Sequence, residues 1–167
     1  MRKCSQCYCC HVPIIKGNNK ALLLVDIENL IGSGGIPSPE EVLKIKTAIG
    51  KAFSNMRFQT VVACSHRNAS SVWFQWPNAR KLLGSGPDGA DLKLISVLED
   101  EPIIGRYHTV IIASGDHIFA NPLSHLAGRG LKTIVAVGQG SLSKKLQIAT
   151  HEIVDLQIEI NEDLISA

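Results

Sequence analysis

The sequence predicts an α/β fold, a Rossmann-like three-layer sandwich around a central and mostly parallel sheet. From residue 20 onwards, short apolar runs of strand length alternate with segments whose apolar residues recur at helical spacing. Glycine- and proline-rich stretches separate these segments, as at residues 32–39 and 84–89. Strands that alternate with helices along a chain favour parallel pairing, because each helix carries the chain back across the sheet.

The first predicted strand is the apolar run at residues 22–26, which ends at Asp26. After the loop at 32–39, Ser38 can cap a helix with Pro39 at its first position and two glutamates in its first turn. All three features favour the start of a helix. The inner face of this helix is predicted to carry Val42, Leu43, Ile45, Ile49 and Phe53.

The middle of the chain is less regular. A second strand is predicted at 58–64, and a short edge strand at 81–83. Between them, residues 66–77 are ambiguous, because Ser70 could cap a short helix that Pro77 would end. The remaining predicted strands are 108–113, 131–137 and 153–156, and the remaining predicted helices are 91–98, 118–126 and 142–149.

Length and composition fit one globular domain at residues 20–160, between tails at 1–19 and 161–167. Of the 167 residues, 45% are hydrophobic and 19% are charged, which excludes an intrinsically disordered chain. No apolar stretch approaches the roughly 18–20 residues that span a bilayer, and no apolar segment typical of a secretory signal follows the basic start. We therefore expect a cytoplasmic protein without a membrane partner. The net charge of +2 is too small to argue for nucleic acid by itself.

Three aspartates at the ends or edges of apolar runs are the candidate functional residues. Asp26 closes the first strand, Asp116 follows the strand at 108–113, and Asp91 precedes a helical pattern. Ligands of open parallel sheets bind outside the carboxyl ends of the strands, so these carboxylates are expected to meet at one rim. A divalent cation with oxygen ligands would neutralise such a pocket, and we predict that all three hold one hard divalent cation such as Mg²⁺.

Each aspartate also has a purely structural interpretation, because aspartates at strand ends often cap helices or form Asx-turns. Two neighbouring polar residues extend the prediction of a functional site. Asn29 could add an amide oxygen or steer a water, and Ser114 could bind a phosphate or orient Asp116. Gly115 would let a phosphate approach the backbone closely.

Three segments resemble the NYN family, a branch of the PIN-like ribonucleases. Residues 26–29, Asp-Ile-Glu-Asn, resemble the D-x-x-N of that family at the end of its first strand. Residues 89–94, Gly-Ala-Asp-Leu-Lys-Leu, resemble its G-x-D-x-x-L element, and residues 114–119 resemble its S-G-D-x-D-F box. The likeness extends over residues 21–157, and residues 76–91 look like a bacterial subgroup.

The resemblance implies a PIN-like fold, Mg²⁺ or Mn²⁺ at the aspartates, and the activity of a metal-dependent endoribonuclease. One departure is Ile118, which stands where the family has the second aspartate of the last box. A one-metal mechanism or a loss of activity follows from this change. The alternative function is therefore a PIN-like module that binds RNA or a protein partner without cleaving it.

Single-stranded RNA is the expected partner. The sequence does not decide whether the protein forms a homodimer. Arg67 and Lys93 are the predicted contacts to the RNA backbone, because phosphate contacts supply most sequence-independent affinity. Trp73, Phe74 and Trp76 could stack on unpaired bases, although the helical spacing of the two tryptophans favours core positions for them.

Four of the five cysteines crowd into the first ten residues. Together with a histidine they could supply ligands for one tetrahedral Zn²⁺, but their spacing is tighter than in a zinc ribbon. We expect an oxidisable tail there, with zinc binding as the alternative. The residues concerned are Cys4, Cys7, Cys9, Cys10 and His11.

Overall fold

The computed structural model describes residues 20–32 and 36–158, and the cysteine tail, residues 33–35 and residues 159–167 lie outside that part. The strands are β1 (Lys20–Asp26), β2 (Arg57–Ser65), β3 (Arg80–Gly84), β4 (Thr109–Ala113), β5 (Lys132–Val137) and β6 (Glu152–Asp155). The helices are α1 (Ile27–Ile31), α2 (Pro39–Ala52), α3 (Ala69–Gln75), α4 (Gly89–Asp100), α5 (Ala120–Gly128) and α6 (Lys144–Ile148). A 3-10 turn, His117–Phe119, leads into α5.

The six strands form one sheet in the order β3-β2-β1-β4-β5-β6, and every neighbouring pair is parallel. The predicted α/β fold is confirmed, with an all-parallel sheet where the sequence predicted a mostly parallel one. Both β3 and β6 lie at edges. The edge position of β3 was predicted, whereas the sequence predicted β6 only as a short strand. In the part of the chain that the structure describes, no helix has the length and apolar character needed to span a membrane.

Alternate residues of the central strands bury against opposite helical layers, which makes the molecule a three-layer sandwich. Leu23 packs with α1, α2 and α3, whereas Leu22 and Leu24 pack with α4 and α5. This alternation is the period-two geometry of a strand that is covered on both faces. The functional consequence is that even-numbered side chains of β1 point towards the α4 layer.

Local signals set the start of α2 as predicted. Ser38 accepts a hydrogen bond from the Glu41 N–H, and Glu41 returns one to the Ser38 N–H, which completes a capping box. The prediction that Leu43 lies on the inner face is wrong, because it is 47% exposed. Val42 and Ile45 define the buried stripe, and a residue directly after Val42 turns about 100° out of it.

The ambiguous segment between β2 and β3 folds as a helix that starts two residues earlier than predicted. Helix α3 starts at Ala69, so Asn68 takes the N-cap position that the sequence assigned to Ser70. The Asn68 side chain does not cap the helix but donates to the Glu28 carboxylate at 2.6 Å. This contact ties α3 to the residues that follow β1.

Candidate functional site

The strand order reverses its direction of growth between β1 and β4, and this topological switch point is where open α/β sheets bind ligands. Val25 pairs with Ala113 at the last rung of the β1–β4 ladder. Beyond it, the chain after β1 enters α1 on one face, while the chain after β4 enters the 3-10 turn and α5 on the other. The two strand ends therefore border a crevice at the carboxyl edge of the sheet.

Asp26 lies at the bottom of this crevice and is only 3% exposed. Its Oδ1 accepts a hydrogen bond from the Asn29 N–H at 3.3 Å, which caps α1. Its Oδ2 accepts one from the Ser114 hydroxyl at 2.9 Å. The structural interpretation of Asp26 as a helix cap is thus correct, and the same carboxylate also contacts the end of β4.

Asn29 and Ser114 hold the two strand ends together. The Asn29 Oδ1 accepts a hydrogen bond from the Gly115 N–H at 2.7 Å, and the Ser114 hydroxyl accepts one from the Asp116 N–H at 3.2 Å. Ser114 is completely buried. These contacts favour positioning roles for both residues over direct contacts to a substrate.

Gly115 is required by packing rather than by the approach of a phosphate. A Cβ at this position would lie 2.3 Å from the Ser141 carbonyl oxygen, closer than real Cβ atoms come. The Ser143 N–H donates to the Gly115 carbonyl at 2.9 Å in the same contact. The sequence predicted that Gly115 leaves room for a substrate phosphate, but the segment before α6 fills that space.

Asp91 reaches the crevice from the first turn of α4. The start of α4 lies directly against the end of β3, and a Cβ on Gly84 would be 2.0 Å from the Gly89 carbonyl carbon. This close approach is open only to glycine. It brings the carboxyl group of Asp91 within hydrogen-bonding reach of Asp26.

Asp116 completes the cluster from the β4 side. Its Oδ1 accepts a hydrogen bond from the Ile118 N–H at 3.0 Å, which caps the 3-10 turn. The ring of His117 places Nδ1 2.9 Å from the same oxygen. About a third of the Asp116 side chain is exposed, so it lies at the mouth of the crevice while Asp26 lies at its base.

The cluster brings several carboxyl groups close together. Burial, together with the charges of Asp26, Asp116 and Asp88, raises the pKa of Asp91 to about 8. Burial also raises the pKa of Asp26, against the opposing effect of its hydrogen bonds from Asn29 and Ser114. Near neutral pH the Asp26–Asp91 pair therefore retains a proton, because two adjacent carboxylates resist joint ionisation.

The donor set fits a hard divalent cation that is bound partly through water. Within residues 20–32 and 36–158, no group of three or more His, Cys, Asp or Glu side chains is arranged to hold a metal ion directly. Mg²⁺, however, keeps several waters and commonly takes one or two carboxylates from the protein. Asp26 and Asp91 could supply those two ligands, with Asp116 close enough to act on Asp91 electrostatically.

A polar cavity of about 450 Å³ lies beside the cluster, between the carboxyl ends of β2 and β3. Arg67, a predicted RNA contact, lines it. Glu28 also lines it and accepts hydrogen bonds from the Ser65 N–H at 2.9 Å and from Asn68 at 2.6 Å. Glu28 was not among the predicted site residues, and no local pattern could have identified it, because its partners are about 40 residues away.

Lys93, the other predicted RNA contact, lies on the exposed face of α4. It is two residues beyond Asp91, and a helix places such residues on different sides.

A second cavity of about 500 Å³ lies on the opposite flank, and His117, Lys145 and Ile148 are among its lining residues. The aspartate cluster is thus bordered by a recess on each side.

No family model and no curated protein matches the sequence. Among solved structures, a protein of unknown function from Vibrio parahaemolyticus is similar, with a TM-score of 0.59 and 17% identity over 87% of this chain and 95% of that chain. YcaC from Escherichia coli, an octameric hydrolase of unknown specificity, gives a TM-score of 0.46 at 16% identity over 83% and 76% of the two chains. YcaC from Pseudomonas aeruginosa gives 0.46 at 18% identity over 83% and 77%. The likeness to the Vibrio protein supports the fold alone.

Proposed function

We propose that this protein is a metal-dependent ribonuclease that hydrolyses phosphodiester bonds of single-stranded RNA. The observation that carries the proposal is the meeting of Asp26, Asp91 and Asp116 at the switch point of a parallel sheet. The three motifs that resemble the NYN ribonucleases contain these same three aspartates. Sequence pattern and spatial arrangement therefore support one active site.

Mg²⁺ or Mn²⁺ would be held by Asp26 and Asp91, with Asp116 acting through a water. The Asp26–Asp91 pair retains a proton when no cation is present, so a cation would bind by displacing that proton. When bound, such an ion polarises a phosphoryl oxygen and makes water a stronger nucleophile. The pocket would then no longer repel the phosphates of RNA.

The remaining residues of the site act as supports. Ser114 and Asn29 keep the ends of β1 and β4 at a fixed separation, which fixes the relative positions of Asp26 and Asp116. Such positioning matters, because catalytic groups must be held in the productive geometry before the reaction. Arg67 in the neighbouring cavity would contact an RNA phosphate outside the acidic cluster.

The test is a cleavage assay on fluorescent single-stranded RNA with Mg²⁺, with Mn²⁺ and with EDTA. We expect cleavage by the wild type only with metal, and a loss of about 100-fold or more in Asp116→Asn and Asp91→Asn, since even supporting residues of metal sites change activity 10- to 100-fold. Asp100→Asn, at the exposed end of α4, is the matched control and should keep full activity.

Metal binding has a second readout that needs no turnover. Mn²⁺ should raise the melting temperature of the wild type and of Asp100→Asn, but not that of Asp91→Asn, because a ligand that binds only the folded state stabilises it. Metal-dependent cleavage of undiminished rate in Asp116→Asn would rule out the proposed role of that residue.

The alternative function, a module that binds RNA or a protein partner without cleaving, rests on Ile118. This residue replaces the second aspartate of the family motif and packs partly buried against the core on the α4 side of the sheet. A wild type that is stabilised by Mn²⁺ and binds RNA, but shows no cleavage, would favour the alternative.

A further inference from the structure

The aromatic residues of α3 differ sharply in their exposure. Trp76 is 6% exposed and belongs to the core. Trp73 is partly buried, and the Lys81 ammonium lies 5.9 Å from its ring centroid. Phe74, between them in sequence, is 84% exposed. Of the three, only Phe74 presents its ring to solvent, and so it is the residue that is open to a ligand.

Phe74 continues a line of exposed residues that begins at the cavity. Arg67, Ser70 and Phe74 are all exposed, and Ser70 and Phe74 are four residues apart on α3, which places them on one face of the helix. Arg67 lines the cavity just before the helix begins. The rise of the helix puts Phe74 about 6 Å farther along the axis than Ser70.

The same cavity adjoins the aspartate cluster. Glu28 lines it and lies in the first turn of α1, two residues after Asp26, which caps that helix. Its two anchoring hydrogen bonds, from Ser65 and Asn68, both end on Oε1. On the opposite wall, the His66 ring is hydrogen-bonded to the Ser85 hydroxyl at 3.0 Å. The cavity therefore offers hydrogen-bonding groups to a polar ligand between the aspartates and Arg67.

We propose that single-stranded RNA runs from the aspartate cluster through this cavity, places a phosphate at Arg67 and stacks an unpaired base on Phe74. This path rests on the proposed ribonuclease function. An isolated exposed aromatic ring and an adjacent arginine are the two groups that proteins combine to bind single strands without sequence preference. The opposite flank of the cluster has the exposed Ile148, which offers no ring, and the His117 ring, whose Nδ1 is held 2.9 Å from the Asp116 carboxylate.

The test measures the affinity of the full chain for a single-stranded RNA of about 12 nucleotides, a length within typical site sizes of single-strand grooves, by fluorescence anisotropy with Ca²⁺, another oxygen-liganded cation, so that the acidic cluster is neutralised. We expect Phe74→Ala to weaken binding about 5- to 100-fold, the range for loss of one stacking aromatic. Arg67→Ala should weaken it and reduce the salt dependence by about one phosphate contact. Ile148→Ala, an equally exposed apolar residue on the other flank, is the matched control and should bind normally.

Cleavage assays with Mn²⁺ distinguish the proposed RNA path from the proposed hydrolysis. Phe74→Ala should raise KM for the longer RNA with little change in kcat, and should leave cleavage of a dinucleotide unchanged, because a dinucleotide does not reach the ring. If the wild type binds RNA with this dependence on Phe74 and Arg67 but cleaves nothing, the ribonuclease function fails and the binding path stands.

Three outcomes overturn the path. One is that Phe74→Ala and Ile148→Ala have the same RNA affinity and the same KM, although the wild-type protein cleaves RNA. The second is the absence of any RNA binding by the wild type. The third is unchanged affinity together with a lower melting temperature or an altered oligomeric state in Phe74→Ala, which would show that another segment of the chain or a second copy covers the ring.

Discussion

The middle and the carboxyl end of β1 show how differently the core and the carboxyl edge of the sheet are built. Leu23 and Leu24 are completely buried between the sheet and its two helical layers. Asp26, the last residue of the same strand, is almost as deeply buried but carries a carboxyl group next to a second carboxyl group, that of Asp91. Burial stabilises the leucines, whereas the same burial destabilises the ionised aspartate.

This difference indicates that the chain loses folding stability at the carboxyl edge of the sheet. In the core, large apolar side chains fill the space between layers, as expected for a fold selected for packing. At the edge, carboxyl groups are gathered although each raises the free energy of the others. Stability lost in this way is typical of sites that a ligand completes, because the ligand restores it on binding.

The largest expected effect comes from the core. Leu24→Ala should lower the free energy of unfolding by about 3–5 kcal/mol, because it removes a fully buried side chain and leaves a cavity. Leu43→Ala, at the exposed position on α2, should lower it by less than about 1 kcal/mol. Denaturant titration measures both, and losses of equal size would contradict the assignment of the core.

The next effect comes from the contact that carries Asp91 to the edge. Gly84→Ala would place a methyl group 2.0 Å from the Gly89 carbonyl carbon, and backbone atoms cannot rotate away. We expect a loss of about 2–3 kcal/mol, as for overpacked positions. Gly50→Ala in α2 has no atom within 4 Å of the new methyl group and should instead stabilise the protein by up to about 1 kcal/mol.

The Gly84–Gly89 contact also shows what the sequence could and could not predict. The alternation of strands and helices predicted the fold, and the position of Asp26 and Asp116 at strand ends predicted that they would share a rim. The approach of β3 to α4 was not predicted, because it depends on backbone packing between segments. The turn-rich composition of residues 84–89 indicated a loop there and gave no sign of the contact.

Exposure on α3 was only partly predictable. The helical spacing of Trp73 and Trp76 favoured core positions, and Trp76 is buried and Trp73 partly buried, but a helix of seven residues has too few apolar positions to show that Phe74 faces solvent. The position of Glu28 depended on partners in β2 and α3 that only the tertiary structure brings near. The neighbours of the aspartates therefore could not be identified from local patterns.

Removing one carboxylate tests the cost of the acidic edge directly. The pKa of Asp91 is raised from 3.8 to about 8, so the folded protein holds a proton that the unfolded chain has released between these pH values. Stability of the wild type should therefore fall as the pH rises from 4 to 8 and then level off. Asp91→Asn removes this dependence and, after allowance for solvent screening, should be about 1–3 kcal/mol more stable at pH 8.

The measurement is a series of denaturant titrations between pH 4 and pH 8 in EDTA. The difference in the free energy of unfolding between the two proteins should be near zero at pH 4 and should grow as the pH rises. Asp100→Asn is the control and should follow the wild type. Parallel curves for the wild type and Asp91→Asn would show that the edge carries no such cost, and would remove the main physical reason to place a cation there.

The smallest expected effect concerns the bond between the two strand ends. Ser114→Ala should lower stability by about 1 kcal/mol, because Asp26 loses one hydrogen-bond donor in a buried setting. Since that bond favours the ionised form, its loss should raise the pKa of Asp26 further, and the destabilisation should increase towards higher pH. Ser96→Ala, which loses only an exposed bond to the Lys93 carbonyl, should show no such pH dependence. A double-mutant cycle of Ser114→Ala with Asp26→Asn isolates the pair, and a coupling energy of zero would mean that the edge is held by packing alone.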